Sequence, residues 1–201
     1  MKQDQLFYKP FHPAISKMYY INQRLINKLS QRFAHAGHTT IIRPMIEYIN
    51  EHYINKPLIG AEIGVRDGFN MRYIFNTLNI KCLYVVDIEF NNRLKQNIKQ
   101  YKDKVIFLNM DSVEATEYIP DDLDFCYIDG DHTYQGVKRD VNAYFPKIKT
   151  GGIIGGHDYT IQHYGLVKAV SEFLMKLKEE KDEVGEGIFS GQMFQDWWVV
   201  K

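Results

Sequence analysis

The chain has 201 residues, 45% of them hydrophobic, which bounds it to one domain with a full core and at most a short appendage. Its 25 basic and 25 acidic residues cancel and the pI is about 7.1, so no net field draws it to nucleic acid or to an anionic membrane. The opening residues 1–13 lack the apolar core of a signal peptide and no run approaches a membrane span; the reading is a cytoplasmic protein with a small-molecule partner.

The first 55 residues read as a helical extension, with helices over 15–33 and 41–53, Gly37 as a stop and Pro44 in a first turn. This extension is expected to act as a dimer contact or as a lid. His35 and His38 in its connecting loop have no third metal ligand nearby. From residue 56 onward, short apolar runs alternate with helix-period segments. Strands are expected at 58–63, 82–87, 105–109, 123–128 and 152–156. Helices are expected at 70–78, 91–101, 112–118 and 134–145, then along the Leu166, Val170, Phe173, Leu174 and Leu177 stripe. A β-rich tail follows from about residue 184 to 200. Continuous apolar strands between helices imply a Rossmann-like, doubly wound α/β fold, mostly parallel and seven-stranded, with helices on both faces. Cys82 and Cys126 fall inside the strand-like runs, where core packing is their simplest role and zinc binding would need more ligands.

The run LIGAEIGVRDGFN, residues 58–70, reads as a buried strand, a tight glycine turn and a helix start. A nicotinamide fingerprint would place G-x-G-x-x-G there. Here Glu62 fills the first glycine position, and Gly64 and Gly68 follow four apart. A carboxylate at that point repels a pyrophosphate and suits a cationic or amino-bearing ligand. Asp87 ends the next strand, 25 residues beyond Glu62, where a carboxylate can take both hydroxyls of a ribose. Asp111 and Ser112 follow the third strand. Asp111 either accepts from an adenine amino group or caps the helix behind it.

The E-x-G-x-x-x-G pattern resembles motif I of class I S-adenosylmethionine-dependent methyltransferases, whose cofactor carries a sulfonium and an ammonium but no phosphate. The resemblance sharpens in the segment 123–159. There I-D-G-D-H-x-Y is followed by G-G-x-x-G-G-H-D-Y, as in the bacterial macrocin O-methyltransferase and cephalosporin hydroxylase-like group. The likeness covers roughly residues 58–201 and includes the terminal D-W-W-V-V-K. It implies S-adenosyl-L-methionine as cofactor, held by Glu62, Gly64, Gly68, Asp87, Asp111, Ser112 and Asp129. It implies O-methylation of a small hydroxylated acceptor, a sugar or a natural product.

Carboxylates after adjacent strands can converge on a divalent ion, and Asp129, Asp158 and His157 are the candidate set for Mg²⁺ or Mn²⁺. Metal-dependent relatives usually carry Asp, Glu or Asn where this chain has His157. His157, ending its strand, is the first choice of general base and His132 the second, with Asp129 beside them as a catalytic carboxylate. Asp131 or His132 could instead cap the helix that starts at Tyr134. Two other readings stand beside the enzyme. One is a cofactor-binding sensor or assembly partner without methyl transfer, and the other is an oxidoreductase on the same fold.

Overall fold

A computed structural model describes residues 43–180, 185–188 and 195–201. The expected helix over 15–33 and the histidines His35 and His38 lie outside the described residues. Seven strands form one sheet in the order β3-β2-β1-β4-β5-β7-β6. They are β1 (Leu58–Ile63), β2 (Ile80–Val86), β3 (Val105–Leu108), β4 (Leu123–Ile128), β5 (Ile148–Gly156), β6 (Gly185–Ile188) and β7 (Trp197–Val200). The first five run parallel, while β7 is antiparallel to both β5 and β6. Helices α1 (Pro44–His52), α2 (Phe69–Thr77), α3 (Asn92–Lys99), α4 (Tyr134–Tyr144) and α5 (Tyr164–Glu180) accompany the strands. The segment expected as a helix at 112–118 is a short 3₁₀ turn, Glu114–Tyr118.

All six residues of β4 are buried, which is why that run carries no polar alternation. Its residues split between two cores by the period of two. Cys126 and Ile128 join Ala61 and Ile63 against Val137, Val141 and Tyr144 of α4 and Leu166 and Val170 of α5. Phe125 points the other way and lies against Gly60. Burial pushes the thiols of both Cys82 and Cys126 upward, so neither is a ready nucleophile.

The compact unit carrying the sheet begins at Arg43, so α1 sits with the sheet rather than with an extension ending at residue 55. The reason is apolar. Met45, Ile46 and Ile49 are fully buried, and each such side chain contributes about 1.5–3 kcal/mol. Pro44 occupies the first helical turn, where its missing N–H costs nothing.

Register positions the functional residues. Ile63 pairs with Val86 on one side and Ile128 on the other, and Ile128 pairs with Gly156. Gly64, Asp87, Asp129 and His157 therefore stand in one row at the carboxyl ends of four neighbouring strands. Strand order reverses between β1 and β4, the place where doubly wound sheets bind ligands.

The row depends on close strand approach at β5. A Cβ on Gly156 would run into the Ile128 carbonyl, and one on Gly155 into the Trp197 carbonyl. Gly156→Ala should therefore lose about 1–3 kcal/mol of stability, seen as a lower urea midpoint with an unchanged m-value. An unchanged midpoint would contradict this packing.

Candidate active site

The turn from β1 into α2 is built from three left-handed residues, Gly64 (φ 80°), Arg66 (φ 50°) and Gly68 (φ 78°). Only glycine suits position 64, because a side chain there would also strike the Asp129 carbonyl. Asp87 fastens this turn from the neighbouring strand. Its Oδ2 accepts from the amides of Val65 (2.8 Å) and Arg66 (2.7 Å), and its Oδ1 from the Glu89 amide at 2.9 Å. Asp87, the carboxylate expected at a ribose, thus braces the glycine turn.

Glu62 lies behind the turn with no exposed surface. Its Oε1 accepts from Asn70 Nδ2 at 3.1 Å, and Asn70 Oδ1 accepts from Arg43 Nε at 3.2 Å. Its Oε2 is buried without a partner. Burial pushes the Glu62 carboxyl up to about 8, against the opposing hydrogen bond from Asn70. A buried, unpartnered carboxyl oxygen is costly unless something arrives to satisfy it, and an ammonium group would do so.

Asp111 and Ser112 are more committed than the sequence suggested. Asp111 Oδ1 accepts from the Val113 amide at 2.8 Å, just before the 3₁₀ turn, and its Oδ2 pairs with Arg139 at 3.0 Å. The buried Ser112 hydroxyl donates to Asp140 (2.5 Å) and accepts from Arg139 (3.2 Å). Its hydroxyl is occupied in tying the 3₁₀ turn to α4, so this chain gives Ser112 a structural task at the rim.

The ends of β4 and β5 bring the acid and histidine candidates together. Asp158 Oδ1 lies 2.9 Å from His157 Nδ1, and its Oδ2 lies 3.3 Å from His132 Nε2. His132 Nε2 is also 3.4 Å from Asp129 Oδ1. Donor atoms of Asp129, His157 and Asp158 fall within 4.8 Å of one another, as do those of His132, Asp158 and His163. The Asp129 hydrogen bond raises the His132 imidazole above its ordinary value, and the His157 contact holds the Asp158 carboxyl below its own. Asp158 sits at φ 59°, a left-handed position that costs a non-glycine residue about 1–2 kcal/mol and that its histidine contacts help hold. Asp131 makes none of these contacts. It accepts from the amide and hydroxyl of Thr133, which in turn caps α4 through the Gly136 amide.

Three further residues enter the site, and of these only Asp196 falls in a quoted motif, the terminal D-W-W-V-V-K. His163 follows β5, with its Nε2 4.0 Å from Asp158 Oδ2. Asp196 is fully buried beside β7 and accepts from Tyr127 Oη and the Met45 amide, each at 3.0 Å. Its Oδ1 stands 3.8 Å from His157 Nε2, and burial pushes its carboxyl up to about 6. Arg43 precedes the sequence motifs altogether. Pairing the tail antiparallel to β5, with Trp197 opposite Gly156, is the step that would have put Asp196 beside His157.

The buried Glu62 has a pH signature. Between its ordinary value of 4.5 and about 8, the folded chain holds a proton that the unfolded chain releases. Stability should fall as pH rises through that window, by up to about 1.4 kcal/mol per pH unit, and Glu62→Gln should remove this component. Parallel pH curves for the two proteins in urea unfolding would contradict it.

Comparison with known proteins bears on the fold that carries these residues. A family model described as a methyltransferase domain matches residues 61–159, from within β1 to just past β5. An uncharacterized protein, R132 of Acanthamoeba polyphaga mimivirus, is 29% identical over 133 residues, or 57% of this chain and 58% of the relative. The chain thus spans under two thirds of the length of that relative. Among solved structures, a protein described as an rRNA methylase from Clostridium thermocellum superposes with a TM-score of 0.61 at 16% identity, covering 80% of this chain and 97% of the other. MycE methyltransferase of mycinamycin biosynthesis, solved with Mg, S-adenosylhomocysteine and mycinamycin VI, gives 0.60 at 15%, covering 79% and 48%. The O-methyltransferase NovP gives 0.54 at 18%, covering 78% and 79%. At these identities the structures establish the fold. Residues 61–159 therefore match a methyltransferase-domain model, and the chain shares the fold of these solved methyltransferases.

Proposed function

We propose that the protein transfers the methyl group of S-adenosylmethionine to a hydroxyl oxygen of a small acceptor, a sugar or a natural product, with a divalent cation in the site. The observation that carries this reading is the single row at the strand ends. A buried acid with an unsatisfied oxygen, Glu62, stands on one side, and the acid and histidine cluster stands on the other. In this reading Glu62 meets the donor's ammonium, Asp87 its ribose and Asp111 its adenine, while Gly64 and Gly68 let the ligand approach the backbone.

Asp129, His157 and Asp158 offer a mixed oxygen and nitrogen donor set that suits Mg²⁺ or Mn²⁺. Such an ion would lower the acceptor hydroxyl's pKa and orient it. The chain's own residues do the rest. The turn and Asp87 fix the donor, and the strand-end cluster fixes the acceptor in line with it. As the oxygen–carbon bond forms and the carbon–sulfur bond breaks, the hydroxyl proton passes to an imidazole. His132 is better disposed than His157 to receive it. It touches both Asp129 and Asp158, whereas His157 is held between Asp158 and Asp196. A positioned base of this kind typically contributes about 10²–10⁴ in rate.

The balanced charge of the chain favours a small acceptor over nucleic acid, and among the described residues no helix is long and apolar enough to cross a membrane. A cytoplasmic location and self-association through the residues before Arg43 complete the reading. Incubation with methyl donor, Mg²⁺ and a panel of hydroxylated acceptors should yield a product heavier by one methyl on oxygen. Asp158→Asn should cut turnover at least about 10²-fold while S-adenosylhomocysteine still binds. Methylation confined to nitrogen would contradict the hydroxyl reading. Donor binding with no product from any acceptor would favour a cofactor-binding protein without transfer.

A further inference from the structure

We propose that Arg43 is the carboxylate-binding residue of the donor pocket: its guanidinium takes the α-carboxylate of the ligand's amino-acid portion while Glu62 takes the α-ammonium. The proposal rests on the methyl-donor reading above. Arg43 lies outside the 61–159 segment that the methyltransferase-domain family model matches.

Three observations place an acidic and a basic group together here. First, Arg43 and Glu62 are joined through one side chain, Asn70, which accepts from Arg43 Nε at 3.2 Å and donates to Glu62 Oε1 at 3.1 Å. The amide sets the spacing of the two charged groups and is itself buried. Second, Glu62 Oε2 is fully buried and unpartnered, so the acidic end of the pair is open to a further partner. Third, the guanidinium stays charged. Burial works against it, but Tyr127, Asp196, Asp129 and Glu62 together more than offset that cost. These groups are not its direct partners among the described residues. Asp196 is already held by Met45 and Tyr127, and Glu62 by Asn70. The Arg43 bond to Asn70 uses Nε, leaving the two terminal nitrogens outside that bond. A planar guanidinium fixed at Nε presents a fork that matches a carboxylate.

A free α-amino acid group carries both charges two bonds apart. A site with only Glu62 would read the ammonium alone and would accept a decarboxylated donor equally well. Adding Arg43 makes the pocket select the intact amino acid. Arg43 immediately precedes α1, whose Met45 amide bonds the buried Asp196 and so fixes the backbone two residues on.

The test uses two ligands that differ only in this portion, measured by calorimetry on the full chain. S-adenosylhomocysteine carries the amino acid; 5′-methylthioadenosine does not. Arg43→Met should weaken S-adenosylhomocysteine about 10- to 100-fold and leave 5′-methylthioadenosine within about twofold of wild type. Arg43→Lys should restore part of the loss. On the wild-type protein, the decarboxylated analogue of S-adenosylhomocysteine should bind at least about 10-fold more weakly than the intact ligand, a comparison that needs no variant to fold. Equal losses for both ligands, or no preference of the wild type for the intact amino acid, would overturn the assignment while leaving the donor reading standing. Binding of neither ligand to the wild type would overturn both.

Discussion

The site depends on how closely β1, β4 and β5 approach at their carboxyl ends. Gly64 has its Cα where a side chain would strike the Asp129 carbonyl, and Gly156 has its Cα where one would strike the Ile128 carbonyl. Those two glycines set the spacing of the row. Parallel register then carries every consequence: the turn that would receive the donor, Asp87 that fastens it, and Asp129 and His157 that face it. A slip of one residue in any pair would turn these side chains to the opposite face of the sheet.

Around that row the chain places charge where burial makes it expensive. Glu62 and Asp196 have no exposure, and each sits under a raised carboxyl pKa caused first by desolvation. Asp196 is satisfied by two hydrogen bonds, whereas Glu62 keeps an unpaired oxygen. The difference separates a fully satisfied acid from one with an oxygen still open. Asp196 links the start of α1 to β4 and stands next to His157, so it holds a candidate ligand ring in place. Asp158, in a left-handed conformation with a lowered pKa, is the point on which His132, His157 and His163 all converge.

Much of this was legible from the residues in order. Strands β1 and β4 fall on the expected bounds because their apolar runs are continuous and sharply ended by Gly64 and by Asp129. Strand β5 starts earlier than expected, at Ile148, because Lys149 and Thr150 are polar residues at the half-exposed beginning of a strand. The acid and histidine cluster was legible because each member ends or follows a strand. What sequence order conceals is contact across distant segments. Asp196 reaches His157 only through the antiparallel pairing of β7, and Arg43 reaches Glu62 only through Asn70. The contacts of Ser112 are concealed in the same way: α4 supplies Asp140 and Arg139 to its hydroxyl.

The most direct measurement is calorimetric titration with S-adenosylhomocysteine near pH 7 in two buffers of different ionisation enthalpy. An ammonium docking against Glu62 would ionise a carboxyl that burial otherwise keeps protonated up to about 8. The account predicts binding accompanied by release of a proton, and loss of that release in Glu62→Gln. Absence of binding, or binding heats identical in the two buffers, would contradict the donor pocket on which the proposed chemistry rests.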